Sequence, residues 1–296
     1  MKKPSTGNTT SIVSTIFFTC SLFLLPGCAG LSFKRVSVDF ENPYARLEIV
    51  QAEPTKEEIA GVVLRIFAPH QGHHTYGEEM IMFAQIAGDE GIRLHVKKHR
   101  KDTYHTVRKN AFIVQSETKF EHSTEKLVSE LELNSRGGIV RFINGSHHSK
   151  MVRLTIKNWK RTPMFPEGQV KIGDCWNWEE VMDVRLKLFL IKEKKPTPYI
   201  IRAKSTLAGF AWVGGIRCAV IKTIAVEQKR QHLKFLFKNI DLNINTQIEE
   251  QTYLDYATGT VVVQIVTTLN RTESSDALLS DISRSQSIVY LSSADL

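Results

Sequence analysis

Val152-Arg153-Leu154-Thr155-Ile156-Lys157 and Ile240-Asp241-Leu242-Asn243-Ile244-Asn245 decide the fold class. In both stretches apolar and polar residues alternate at every step. Successive side chains of a strand point to opposite faces, so this pattern gives one buried face and one wet face. The same reading extends to Ile92, Leu94 and Val96, which alternate with Arg93, His95 and Lys97. Val184, Leu186, Leu188 and Leu190 share one side of another run. Long helical patterns between these runs are scarce, which argues against a parallel, helix-connected sheet. The fold class is mainly β: a curved antiparallel sheet or half-barrel, with one or two minor helices in its concave side.

Around this frame the local signals are mixed. Thr55-Lys56-Glu57-Glu58 is a capping box that follows Pro54. Ile59, Val62, Val63, Ile66 and Phe67 then recur at helical spacing, which predicts a helix over 56–67. A strand over 62–67 is the alternative, because valine and isoleucine favour sheet. A short strand is expected near Arg46–Val50. Met80–Ala87 reads as a strand, with a helix ending near Gly88 as the alternative, and Gly88-Asp89-Glu90-Gly91 reads as a turn. Tyr253–Tyr256 runs through Ala257-Thr258-Gly259 into Thr260–Thr267 as a hairpin, with Gly259 supplying the positive φ. Residues past about Arg271 are rich in serine and aspartate. They read as a loosely held tail, 271–296, with an edge strand at Ile288–Leu291. Pro163–Gly168 marks a midpoint, so the β domain, 54–270, divides into halves of about 54–162 and 163–270.

The first residues suggest where the protein works. Lys2-Lys3 precede an apolar run, Ile12–Leu25, and then Leu25-Pro26-Gly27-Cys28. The run has the length of a signal-peptide core and is too short for a standard spanning helix. With Leu25, Gly27 and Cys28, the segment resembles a bacterial lipoprotein signal peptide ending in a lipobox. Pro26 stands where that pattern usually has a small residue. The resemblance implies a signal peptide over 1–27, a tether and lead-in over 28–53, a diacylglycerol on the Cys28 thiol and an acylated new amino terminus. Several acyl chains hold a protein stably where one would not. An ordinary secretory signal cleaved elsewhere and an uncleaved anchor are the alternatives. Ala29 after Cys28, in a Gram-negative host, resembles proteins sorted to the outer membrane.

The formal net charge is +8, two units of which come from Lys2 and Lys3. A basic exported chain suits anionic envelope surfaces, and an exported tethered protein rarely meets nucleic acid. Beyond Cys28 two cysteines remain, Cys175 and Cys218. An exported compartment permits a disulfide between them, worth about 4 kcal/mol in the chain-entropy model. Two buried thiols acting as small hydrophobes are the alternative.

No motif announces a reaction. There is no nucleophile elbow and no phosphate-cradling glycine loop. His70-Gln71-Gly72-His73-His74, with His147-His148, is the best metal candidate, but it lacks an acid or cysteine at ligand spacing. Asp255 and Glu249-Glu250 lie near the last hairpin, where acids are usually solvated. Lys97-Lys98-His99-Arg100-Lys101 reads as a solvated hairpin tip, or else as a contact for lipid phosphates. Trp176 and Trp178 share one strand face, as do Phe235 and Phe237, and both stripes read as core. No catalytic residue, metal or cofactor is expected.

Three blocks of the second half carry a further resemblance: Gly173-Asp174-Cys175-Trp176, Gly215-Ile216-Arg217-Cys218-Ala219-Val220-Ile221 and Tyr253-Leu254-Asp255-Tyr256-Ala257-Thr258-Gly259. They resemble uncharacterised bacterial envelope proteins, similar in outline to curved-sheet carriers of lipoproteins and lipids. These motifs are structural and silent on activity, and the carrier likeness is an analogy of fold; taken with the lipobox and the missing catalytic motifs, the expectation is a membrane-anchored, non-catalytic protein that binds or carries a lipid or other apolar ligand. An interaction scaffold with an envelope protein as partner is the alternative. An envelope hydrolase, tested by Asp255→Asn, comes third.

Overall fold

The computed structural model describes residues 48–66, 73–86, 92–108, 111–120, 126–148, 152–188, 191–193, 198–235, 238–275 and 281–291. The described residues form β1 (Ile49–Ala52), one short helix α1 (Lys56–Ala60), β2 (Val62–Val63), β3 (His73–Ile86), β4 (Ile92–Arg108), β5 (Ala111–Phe120), β6 (Lys126–Asn134), β7 (Ile139–His148) and β8 (Val152–Arg161). There follow β9 (Gln169–Val170), β10 (Cys175–Leu188), β11 (Ile191–Glu193), β12 (Tyr199–Val213), β13 (Ile216–Phe235), β14 (Lys238–Asp255), β15 (Thr260–Ser274) and β16 (Asp281–Leu291).

The curvature expected from the alternation goes to full closure. The barrel has 12 antiparallel strands, in the order β3-β4-β5-β6-β7-β8-β10-β12-β13-β14-β15-β16, and β16 pairs back to β3. Each strand lies beside its neighbour in sequence, so short connections build the wall and closure removes the sheet edges. β1 adds to β12 through Ile49–Ala52, and β11 bridges β10 and β13. β13 has 20 residues, a run of roughly 66 Å at the usual rise.

Alternation is visible along β12, β13 and β14. Tyr199, Ile201, Ala203, Ser205 and Leu207 of β12 are buried, while Arg202 and Lys204 between them are exposed. A bulge between Leu207 and Gly209 shifts the phase, so that Phe210 also packs in the core. The outward row of β13 is Lys222, Ile224, Val226, Gln228 and Arg230, and that of β14 is Asp241, Asn243, Asn245, Gln247 and Glu249, all exposed. Barrels that cross lipid carry a continuous apolar band on this side. These two rows mix apolar with charged and amide side chains.

A twelve-stranded barrel is too wide for wall side chains alone to fill. One end is filled by a plug. The β2–β9 ribbon and the chain around it insert Val62, Leu64, Ile66, Phe165 and Val170 against Trp159, Trp178, Leu131 and Leu133. Backbone bonds from Ile66 N to Ser135 O and from Phe165 N to Arg136 O tie the plug to the β6–β7 turn. Trp176 and Trp178 both join this core, as their shared face predicts.

Other expectations are corrected. The helix stops at Ala60 rather than Phe67, because Gly61 takes φ 125 and Val62-Val63 pair with β9. The capping box itself is present. Met80 to Ile86 is strand. The strand expected near 46–50 is β1. The hairpin after Asp255 forms, and Gly259 has φ 73. The stretch read as a loose tail carries β16, paired along both sides by β15 and β3 rather than lying at an edge. The basic run is mid-strand in β4, not a hairpin tip, and Arg100 is buried. The turn expected at 88–91, and Phe237, lie outside the described residues.

Candidate functional site in the barrel interior

The residues nominated from the sequence do not converge. Cys28 lies outside the described residues. Cys175 and Cys218 are both free, so the disulfide is not formed. The register gives the reason: Cys175 stands opposite Thr206 and Cys218 opposite Ala211 of the same strand. Five residues of β12 separate those partners by about 17 Å, well beyond the reach of a disulfide. Cys175 is exposed, its Sγ 3.1 Å from Thr206 Oγ1. Burial pushes the Cys218 thiol up to about 12.

His73 and His74 open β3, and the His74 ring packs on Tyr104 at 5.2 Å. His70 lies outside the described residues, and His147 and His148 end β7. Among the described residues no group of histidine, cysteine or acids is placed to hold a metal. Asp255 caps its own turn: Oδ1 accepts from Ala257 N and Thr258 N, and Oδ2 from Thr258 Oγ1 at 2.6 Å. Asp174 does the same for the turn before β10, accepting from Lys171 N at 2.8 Å. The aspartates of the first and third motifs of the second resemblance thus serve their own turns.

What the structure does gather, unforeseen, is a set of ionisable side chains inside the barrel. Next to the apolar core, Trp159 Nε1 donates to Glu180 Oε1 at 2.7 Å, and Arg161 Nη1 lies 3.6 Å from Glu180 Oε2. Arg161 Nε donates to Gly137 O at 2.8 Å. Glu250, expected to be solvated, is buried and accepts from Thr252 Oγ1 at 2.6 Å. Burial raises both Glu180 and Glu250, and Arg161 pulls the other way on each. Burial lowers Arg161.

Glu227 and Lys229 continue the row on β13. Lys229 Nζ sits 3.5 Å from the centre of the Tyr199 ring. Burial lifts Glu227 to about 7, against the pull of Lys229. Thr246 bonds Glu227 and also donates to Asn270 Oδ1 at 3.0 Å. On the opposite wall Arg100 Nε lies 3.2 Å from Asp102 Oδ2, and Ser116 Oγ donates to Asp102 Oδ1 at 2.7 Å. The Arg100 guanidinium stacks 4.4 Å from the Tyr76 ring centre.

Towards the end away from the plug, the inner wall divides. Ile240, Leu242 and Ile244 of β14 are buried and apolar. Thr268, Asn270 and Thr272 of β15 and Ser283, Ser285 and Ser287 of β16 are buried and polar. One signal could have found the charged residues: a charge standing in the apolar phase of an alternation. Glu250 is in phase with Ile248 and Ile244, and Glu227 with Ala225 and Ile221.

A charge pair of the opposite kind holds the plug. Arg217 donates to Glu58 through Nε at 2.9 Å and Nη2 at 2.6 Å. Tyr256 Oη donates to Glu58 Oε1 at 2.7 Å, and Thr55 N to Oε2 at 2.7 Å. The Arg217 bonds hold the Glu58 carboxyl at about 2.

No family model and no curated protein matches the chain.

Proposed function

We propose that this is an exported envelope lipoprotein, anchored through acyl chains on Cys28, which binds a small amphiphilic ligand in its barrel and performs no chemistry on it. The observation that carries the reading is the uneven lining of a closed twelve-stranded wall. One end is plugged by apolar packing, and the remaining inner wall presents an apolar strip on β14 beside a polar strip on β15 and β16. Ligand sites pair apolar surface with a few placed polar groups in this way. Of the lipid or other apolar ligand expected from the sequence, a fully apolar one would leave the polar strip unsatisfied, at the cost of burying bare hydroxyls.

A hydrolase reading has one observation in its favour, the raised carboxyls of Glu180, Glu227 and Glu250. Such shifts mark catalytic acids as well as buried networks. Asp255, the acid first nominated, is engaged in its turn.

Two measurements test the proposal. Palmitate labelling of the full chain in a bacterial host should vanish in Cys28→Ser; labelling that persists removes the anchor. Organic extraction of protein purified from its membranes, followed by mass spectrometry, should release a stoichiometric amphiphile. A protein that releases none and captures a protein partner instead is a scaffold.

A further inference from the structure

We infer that the inner face of β15 and β16 is a headgroup site for a neutral polyhydroxylated ligand, such as the sugar of a glycolipid. The inference rests on the ligand-binding reading above and names the chemistry of the ligand. Six small polar side chains form the panel: Thr268, Asn270 and Thr272 beside Ser287, Ser285 and Ser283. The register sets Thr268 opposite Ser285 and Asn270 opposite Ser283. All six are buried, none more than 6% exposed. Thr268 Oγ1, Ser283 Oγ and Ser287 Oγ have no hydrogen-bond partner among the described residues. Their outward neighbours Leu269, Arg271, Ile282 and Arg284 are exposed, so the panel looks into the barrel.

Three unpartnered hydroxyls on two adjacent strands are costly to bury, and chance seldom leaves them together. Each can donate or accept, which matches another hydroxyl and gives no preference for either sign of charge. The panel itself carries no charge. Asn270 is oriented by Thr246 and adds an amide, the side chain best able to bridge two hydroxyls. Ile244 and Leu242 flank the panel on β14, opposite Thr272 and Ser274, and offer the apolar surface on which a sugar's C–H face or the start of an alkyl chain would lie.

The test uses the full chain in its own membranes and two photoreactive probes with the same alkyl tail, one an alkyl β-glucoside and one an alkyl phosphocholine. The glucoside should label peptides of β14–β16 selectively and be competed by octyl β-glucoside. Thr268→Val, Ser283→Ala and Ser287→Ala together should cut that labelling roughly tenfold or more, as three lost hydrogen bonds require. Because these hydroxyls lack protein partners, the melting temperature of the triple variant should stay level or rise. If the triple variant does not fold, Thr268→Val alone, which keeps the shape, should still lower labelling several-fold. Equal labelling by both probes, or unchanged labelling in the variants, overturns the headgroup site and leaves the ligand reading standing. Interior labelling by neither probe overturns both, and the panel then holds water only.

Discussion

The plugged end and the interior beyond it treat charge in opposite ways. At the plug, Glu58 receives bonds from Arg217, Tyr256 and the Thr55 amide, and its carboxyl is held ionised at about 2. In the interior, Glu227 has one oxygen without a partner among the described residues, and burial lifts it to about 7. The first arrangement is what a fold needs to lock a capping segment in place. The second holds a group near neutrality inside the protein, which a fold optimised for stability would replace with an apolar residue. The difference separates an end locked by a satisfied ion pair from an interior that holds a carboxyl near neutrality.

The largest break in that contrast should come from Arg161→Leu. It removes the partner of buried Glu180 and an attraction on Glu250, and buried pairs broken on one side cost about 3–5 kcal/mol. Urea unfolding at pH 8 should show the full loss. At pH 5 the loss should shrink, since both carboxyls are already raised and protonation relieves them. A pH-independent loss would mean that Arg161 acts through packing alone.

Leu64→Ala probes the plug by packing. Leu64 is fully buried in the core cluster, and truncation at such a site costs about 2–5 kcal/mol. The expected outcome is a lower melting temperature with no change in its pH dependence. A stable variant that loses ligand instead would make the plug a lid.

How much of this contrast is legible in the sequence follows from the same physics. Period-two alternation reports a strand only where one face meets an apolar interior. It therefore finds β4, β8, β10 and β14, whose runs alternate in the sequence. It finds only the end of β16, Ile288–Leu291, because Ser283, Ser285 and Ser287 line the polar interior and give the rest of the strand the composition of a tail. It also assigns Glu250 to solvent, because acids near a turn are usually wet and only the phase with Ile248 says otherwise. Closure of β16 onto β3 joins segments some two hundred residues apart, and no local signal carries that. The capping box at Thr55 and the Gly259 turn are local, and both are readable. The separation of Cys175 from Cys218 is not, since their offset along β12 exists only in the folded register.

Glu58→Gln should cost on the order of 3 kcal/mol at neutral pH, the value of a carboxyl moved from 4.5 to about 2. The sign follows from the depressed pKa. The stabilisation is complete above pH 4.5 and fades as pH falls towards 2. Wild type and variant should therefore converge in acid unfolding curves. Convergence at neutral pH would show that the Arg217 bonds contribute nothing, and that apolar packing alone holds the plug.

Glu227→Gln gives the smallest shift and the sharpest contrast, because its slope runs the other way. A carboxyl raised from 4.5 to about 7 binds its proton more tightly when folded, so stability falls as pH rises between those values. The substituted amide keeps the size and a donor but cannot ionise. The variant should lose that descending limb and be more stable than wild type above pH 7, by no more than about 3 kcal/mol. Below pH 4.5 the two should coincide. A Glu227→Gln protein that keeps the descending limb would assign that limb to another buried group and detach it from this carboxyl.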